Sequence, residues 1–478
     1  MAATSSTPTA RFARRSSRGV MLGFSGWRCA ALGAGAAGLL AGLLGGSILL
    51  GLILLSPFAA LAFVRVGELY AVEWTPVGSQ WMFRRVVKQT VFRARPEKPR
   101  PAGTLALPGD GASLRLFIEP EGGICLIHDP HRATLCAVVR VSHPAYALLS
   151  PDAQRQRVSM WGRAIASLAQ SSTCAGLQVL EATIPDSGRG IADYYEEHGA
   201  RRGGWAEQQY EALLASSATG ASTHRTTLTL SLDMQRAGSA IKAAGGGLKG
   251  AAKVLRGEMA ALEYVLRAAD LKVGAWLGES EVAQMIRGAY DPGLGGEFRS
   301  DAPGANLEHA GPLGMDEMWD RIHHDSGWSR VLLMSEWPRI EVPAHFLHSL
   351  IFAPGVRKTL CVSLRPKGTN EALRQIRREK TEMVADYRQK QKIGQIQDLS
   401  DEQEYNDVLA RERALISGHA DVDYTGWIVV SAPTEADLDA ATKQIERAAG
   451  QAGCETRVLF GRQAQAFIAA ALPVGRFT

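Results

Sequence analysis

The chain has 478 residues, 46% of them apolar and 21% charged, enough for a membrane element and two or three soluble domains. Its net charge of +5 is uneven: residues 1–100 hold 13 Lys and Arg against 3 Asp and Glu, while 101–478 hold 40 against 45. The basic excess at the front suits anionic lipid head groups, and the mildly acidic remainder argues against a dominant nucleic-acid-binding face, so no direct nucleic-acid binding is expected.

Residues 1–20 are small, polar and basic and are expected to be disordered. From Cys29 to Val64 come 36 consecutive residues without a charged side chain or a histidine, fenced by Arg28 and Arg65. One helix of that length would measure ~54 Å, against a hydrocarbon core of roughly 30 Å. Gly45-Gly46 near the middle offers a turn, so the spacing predicts a transmembrane helical hairpin over 21–66. Arg11, Arg14, Arg15, Arg18 and Arg28 precede the run, and Arg65, Arg84, Arg85 and Lys88 are among the cations that follow it. Basic flanks stay cytoplasmic, so two basic flanks predict two crossings, with both termini and the main body in the cytoplasm and the hairpin in the plasma membrane. A cleaved signal peptide is excluded by the length of the apolar run.

Residues 67–100 form a juxtamembrane piece closed by the Pro-rich ARPEKPRPAG linker. Trp74 and Trp81 among Arg84 and Arg85 predict an amphipathic helix at the head groups. Residues 101–233 alternate short apolar runs (113–119, 123–129, 134–141, 176–184, 224–234) with helical periods near 151–170 and 205–218, an α+β domain. A helical and loop region, 234–327, follows, broken near Gly245-Gly246-Gly247 and Gly/Pro-rich over 292–315. Residues 328–478 read as a second cytosolic α+β domain. Strands at 328–338, 357–366, 423–433 and 455–461 alternate with helices at 344–352, 434–450 and 463–472, a ferredoxin-like βαβ pattern. Into it is set a charged helical insertion, 368–416, readable as a solvated face or an arm that docks another subunit.

Catalytic chemistry finds little support. The Gly-rich stretch 243–250 lacks the G-x-x-x-x-G-K-[ST] of a phosphate cradle, and no G-x-G-x-x-G or G-x-S-x-G follows a strand. The six cysteines form no C-x-x-C pair and no zinc-spaced cluster, so neither metal nor cofactor is expected. His323, His324, Asp325 and Ser326 are the residue types of a hydrolase, but neighbours in sequence point different ways, and a polar loop is the expected reading.

Two resemblances sharpen this. The first 95 or so residues, with "GFSGWR", the apolar run, "GELYAVEW" and "QWMFRR", resemble the PrgI family of conjugation proteins. The remainder is similar to the N-terminal, non-motor domain of the VirB-type assembly ATPase of type IV secretion systems. The blocks "LQVLEATIPDSG", "IRGAYDP", "EWPRIEV", "SGHADVDYTGWIVVSAP" and "FGRQAQAFIAAALPVGR" carry that similarity. A family of actinobacterial integral membrane proteins joins the two parts. The resemblance implies a non-enzymatic scaffold of a conjugative, type IV-like transfer machine, with a separate motor ATPase and other secretion subunits as partners in an oligomeric assembly. Two other readings stand beside it: a membrane component of a type VII-like system, and a membrane-anchored hydrolase using residues 323–326.

Overall fold

The computed structural model describes residues 8–12, 24–67, 69–95, 97, 103–105, 107–142, 146–171, 173–185, 189–199, 203–217, 222–294, 310–392 and 399–477. Arg14, Arg15 and Arg18 of the basic lead-in lie outside them, as does the break in the charged insertion at 393–398.

The described chain opens with a short extended piece, β1 (Thr9–Ala10). Two apolar helices follow, α1 (Gly26–Leu44) and α2 (Ile48–Phe63). The turn between them passes through Gly46 at φ +77°, a conformation that is cheap only for glycine. Ser47 Oγ then accepts the Leu50 N–H at 3.2 Å and caps α2. The helices pack along each other through small residues: a Cβ on Gly42 would collide with the Gly51 backbone, and one on Gly38 would lie 3.1 Å from Leu54 Cβ. A ribbon of β2 (Arg65–Val66) and β3 (Leu69–Tyr70) leads into α3 (Ala71–Val86), then β4 (Val91–Arg93).

The body begins with β5 (Arg115–Ile118), β6 (Cys125–Asp129), β7 (Thr134–Ser142), α4 (Pro151–Gln170) and β8 (Cys174–Pro185). Next come α5 (Arg189–His198), α6 (Trp205–Ser217), β9 (Ser222–Asp233), α7 (Gly238–Ala243), α8 (Gly247–Ala268), β10 (Lys272–Trp276) and α9 (Glu279–Tyr290). A second series follows: β11 (Gly314–Glu317), β12 (Ile322–His324), β13 (Gly327–Glu336), β14 (Val342–Pro343), α10 (His348–Ile351) and β15 (Arg357–Lys367). It ends with α11 (Thr369–Lys392), α12 (Leu399–Ile416), β16 (Asp421–Ala432), α13 (Glu435–Gln451), β17 (Glu455–Val458) and α14 (Gln463–Ala471).

The fold is mixed helix and sheet, and thirteen strands make one antiparallel sheet. Its order is β4-β11-β12-β13-β16-β15-β8-β9-β7-β6-β5, with β10 beside β7 and β17 beside β13. The sheet is built twice. In the first half four strands lie as β10-β7-β9-β8, in the second as β17-β13-β16-β15: fourth, first, third, second in each. Each half is entered through a β-hairpin, β5-β6 or β11-β12, and each carries a helical pair between its second and third strands, α5-α6 or α11-α12. The halves meet at their second strands, Lys358 opposite Thr183 through Leu364 opposite Leu177. The regions 101–233 and 328–478 therefore share one sheet, completed by β10 to β12 from the stretch between them and by β4 from residues 67–100.

Side-chain alternation decides which helices cover which face. Leu135, Ala137 and Val139 pack with Leu168 of α4 and Leu255, Met259 and Leu262 of α8. Ile428 and Val430 pack with Leu438 and Ile445 of α13. The intervening Cys136, Val138, Trp427 and Val429 face the other side, under Val282 and Ile286 of α9 and Phe467 and Ile468 of α14. The helix expected over 344–352 shrinks to α10, because the turns before it carry Phe346 onto Trp337 and Phe12. The loop expected at 323–326 is partly strand: His323 and His324 pair with Trp328 and Gly327.

Candidate functional site

The apolar helix pair and its attachment to the body form the candidate site. Outward from the small-residue seam stand Leu40, Leu44, Ile48, Leu49, Leu52 and Ile53, all exposed, Leu44 by 90%. By length and composition, among the described residues only α1 is long enough to cross a membrane; α2, at 16 residues, is shorter. Gly45 and Gly46 form the turn at the far end.

At the near end Arg28 is not free to reach water. It is 8% exposed, its Nε donates to Ala62 O at 3.0 Å, and its guanidinium lies 3.7 Å from the Tyr70 ring centroid and 4.4 Å from that of Phe24. It thus clasps the base of α1 to that of α2, with the cation held by ring faces and a carbonyl. Arg65 stands at the ribbon, exposed, opposite the Tyr70 whose ring Arg28 covers.

Beyond the ribbon, α3 turns its aromatic face toward the body. Trp74 donates from Nε1 to Val66 O at 3.0 Å and sets its ring 5.3 Å from Phe460 and 6.0 Å from Trp319. Trp81 meets Trp319 edge-on at 5.2 Å, and Arg85 stacks 5.1 Å over Trp81. Arg84 pairs with Glu317 of β11 and reaches Gly461 O at 3.5 Å. Burial pushes the Glu317 carboxyl upward in pKa, opposed by the Arg84 charge and by the Ala464 N–H at 3.2 Å. Trp74, Trp81 and Arg84 therefore face the body, where the head-group reading had them facing lipid. The outward face of α3 is Met82, Phe83 and Val86 instead.

Sequence reasoning missed the receiving side, Trp319, Phe460 and Glu317. Trp319 precedes the His323-His324 pair by four residues and Phe460 lies at the end of the apolar run 455–461; neither carries a local signal of a docking role.

The segment before the apolar helices also returns to the body. Thr9 and Ala10 pair with Pro343 and Val342 of β14, and Ala344 N donates to Pro8 O at 3.0 Å. Phe12 enters an aromatic box, 5.1 Å from Trp337, 5.3 Å from Phe346 and 5.7 Å from Tyr424, and Arg11 pairs with Asp407 of α12 at 2.9 Å.

Residues 323–326 do not converge. His323 faces Trp328, ring centroids 4.5 Å apart. His324 is fully buried, with Nδ1 2.6 Å from Tyr290 O and Nε2 2.7 Å from Ser329 Oγ, and burial holds its pKa down to about 4. Asp325 accepts from the Leu313 and Gly314 amides at 2.8 and 3.0 Å, and Ser326 donates to Asp291. Among the described residues no group of three or more His, Cys, Asp and Glu is placed to hold a metal ion.

Comparison with family models and with curated proteins finds no match for this chain.

Proposed function

We propose that this protein is a membrane-anchored scaffold of a type IV-like, conjugative secretion or DNA-transfer machine, presenting its body to a separate motor ATPase. The helix pair enters the plasma membrane from the cytoplasmic side and returns to it as a two-helix hairpin. The observation that carries this reading is the double attachment: residues 8–12 before the apolar pair and α3 after it both pack on the same body. Two segments held by one domain lie on one side of a bilayer, so the chain between them crosses an even number of times. The flanking arginines put that side in the cytoplasm. The exposed leucines and isoleucines of α1 and α2 then meet acyl chains, and Met82, Phe83 and Val86 of α3 sit at the head groups.

Each half of the body is a ferredoxin-like unit with a helical arm. The second arm, α11-α12, is stiffened by Lys380–Glu412 at 2.8 Å and Arg411–Glu379 at 3.0 Å, and offers a charged, rigid contact to neighbouring subunits. The type IV assignment rests on the PrgI-like and ATPase-like sequence blocks. His323 and His324 turn to Trp328 and to Tyr290 and Ser329, while Asp325 and Ser326 join the Arg287–Asp291 pair, a division that supports a scaffold without catalysis of its own.

Membrane fractions tagged at either terminus test the topology. Both tags shielded from protease in right-side-out vesicles, with the protein resisting alkaline extraction, is the expected result; an N-terminal tag cleaved from outside overturns it. Capture of an ATPase from those membranes, with no ATP turnover by the purified chain alone, tests the scaffold role.

A further inference from the structure

A cavity of about 80 Å³ lies where the two halves of the sheet meet, under α9 and α14 and over β9, β8, β15 and β16. It exists because the residues there are small: Ala182 and Thr359 on the strands, Gly288 and Ala289 on α9, Ala471 on α14. At roughly 10–15 Å³ per water-sized position it has room for about five to eight heavy atoms.

Among the described residues its lining holds cations and apolar groups but no carboxylate: Arg140, Arg225 and Arg357, from β7, β9 and β15, stand among Leu180, Met285 and Phe467, and Arg140 also pairs at 3.8 Å with Glu281, which does not line it. Lys358 also borders it, but its ammonium is taken by Ala353 O at 2.8 Å. Arg357 donates to Gly288 O at 2.6 Å and Pro292 O at 3.1 Å, which leaves further N–H groups of its five-donor fork uncommitted to those two carbonyls. Burial lowers its pKa to about 10, against the opposing pull of the Asp291 charge. Two more polar groups on the lining, Thr227 Oγ1 and Gln284 Nε2, are buried and have no hydrogen-bond partner, an arrangement folded proteins rarely leave unfilled.

We propose that this cavity binds a small oxyanion, a phosphate or carboxylate group, that bridges the two halves. Arg140, Arg225, Thr227 and Gln284 belong to the first half and Arg357 to the second, so the bound anion draws on both. Arginine forks supply the charge and geometry for such a group, and the two orphaned side chains supply a hydroxyl and an amide donor. This inference rests on the cavity alone and stands or falls separately from the membrane scaffold.

The test uses the full-length, detergent-solubilised protein, titrated calorimetrically with sodium phosphate and, separately, with sodium acetate at matched ionic strength. Saturable binding of one of them in the roughly millimolar range or tighter is expected, and the stronger arm identifies the anion. Arg357→Gln should weaken it about tenfold. Arg132→Gln, on a different basic cleft near Phe477, should leave it unchanged. Thr227→Val, close to isosteric, provides a weakened variant that keeps the fold if the Arg357 variant does not. No saturable binding of either anion by the native protein overturns the proposal, as does equal weakening by Arg132→Gln.

Discussion

The two halves of the sheet share a strand order, yet they are tied together by different chemistry. The helix after the fourth strand of each half ends at the β-hairpin of the other. Beyond α14, Arg476 reaches back to Asp129 at the end of β6, 2.9 Å away, and its Nη2 also bonds Asp110 O. At the end of α9, Tyr290 O meets His324 at the end of β12. The first tie is a buried ion pair, the second a neutral histidine between a carbonyl and a hydroxyl. The N-terminal module adds a further asymmetry, since the described contacts of α3 with the body, to Glu317, Trp319, Phe460 and Gly461, lie on the second half. Topology is thus repeated while charge is not, and the two ties should respond to different perturbations.

Arg476→Met should do the most damage, because it leaves Asp129, 2% exposed, without its cation. Removing one partner of a buried pair costs about 3–5 kcal/mol. The amides of His131 and Arg132, which also donate to Asp129, place the effect toward the lower end. Urea unfolding of the full chain measures it; a loss under about 1 kcal/mol would show that the pair carries little of the first tie.

Trp319→Ala breaks the other asymmetry. Its ring stands between Trp74, Trp81 and Phe460, and truncating such an aromatic costs about 3 kcal/mol or more. The loss should be local: amide exchange over 71–86 speeds up while β7 to β9 keep their protection. Uniform acceleration across both halves would contradict the picture of α3 as a bolted-on element.

The neutral tie answers to pH. His324 titrates near 4 when folded and near its ordinary 6.5 when unfolded, so between those values the unfolded chain binds a proton that the folded chain refuses. Stability therefore rises with pH across that window and is lost as pH falls, by about 2 kcal/mol at pH 5. Urea midpoints from pH 7 to 4.5 measure the slope, and His324→Gln should flatten it. An unchanged slope in that variant would assign the acid sensitivity elsewhere.

How much of this was legible in the chain differs between the same two regions. The second half wrote its elements plainly: the helix read over 434–450 folds as α13, opened by Thr434 as N-cap but running through Gly450 to Gln451 before Gly453 at φ +75°, and the apolar run 423–433 folds as β16. The duplication did not show, because it resides in strand order, and pairing partners such as Val362 and Val179 are far apart in sequence. Lys272–Trp276 and Ile322–His324 are too short to give a period of two, and they become strands only because β7 and β13 offer a free edge. For the candidate site, the apolar run and the Gly45-Gly46 turn position could be read directly. The direction α3 faces could not, since an aromatic-basic helix suits a head-group layer and a Trp/Glu socket equally well.

The smallest expected effect contrasts two helix starts. Thr434 Oγ1 accepts the Asp437 N–H at 3.1 Å at the head of α13, and Ser150 Oγ accepts the Ala153 N–H at 3.4 Å at the head of α4. Replacing a capping hydroxyl by alanine costs about 1 kcal/mol in the usual case. Thr434 also bonds the Asp437 carboxylate at 2.6 Å, and Glu435 and Asp437 both lie in the first turn, so its cap is better made than that of Ser150. Thr434→Ala should therefore cost more than Ser150→Ala, by a few tenths of a kcal/mol, in parallel urea titrations. The reverse order would mean that α4, with Pro151 fixing its first turn, depends on its cap more than the shorter-bonded α13 does.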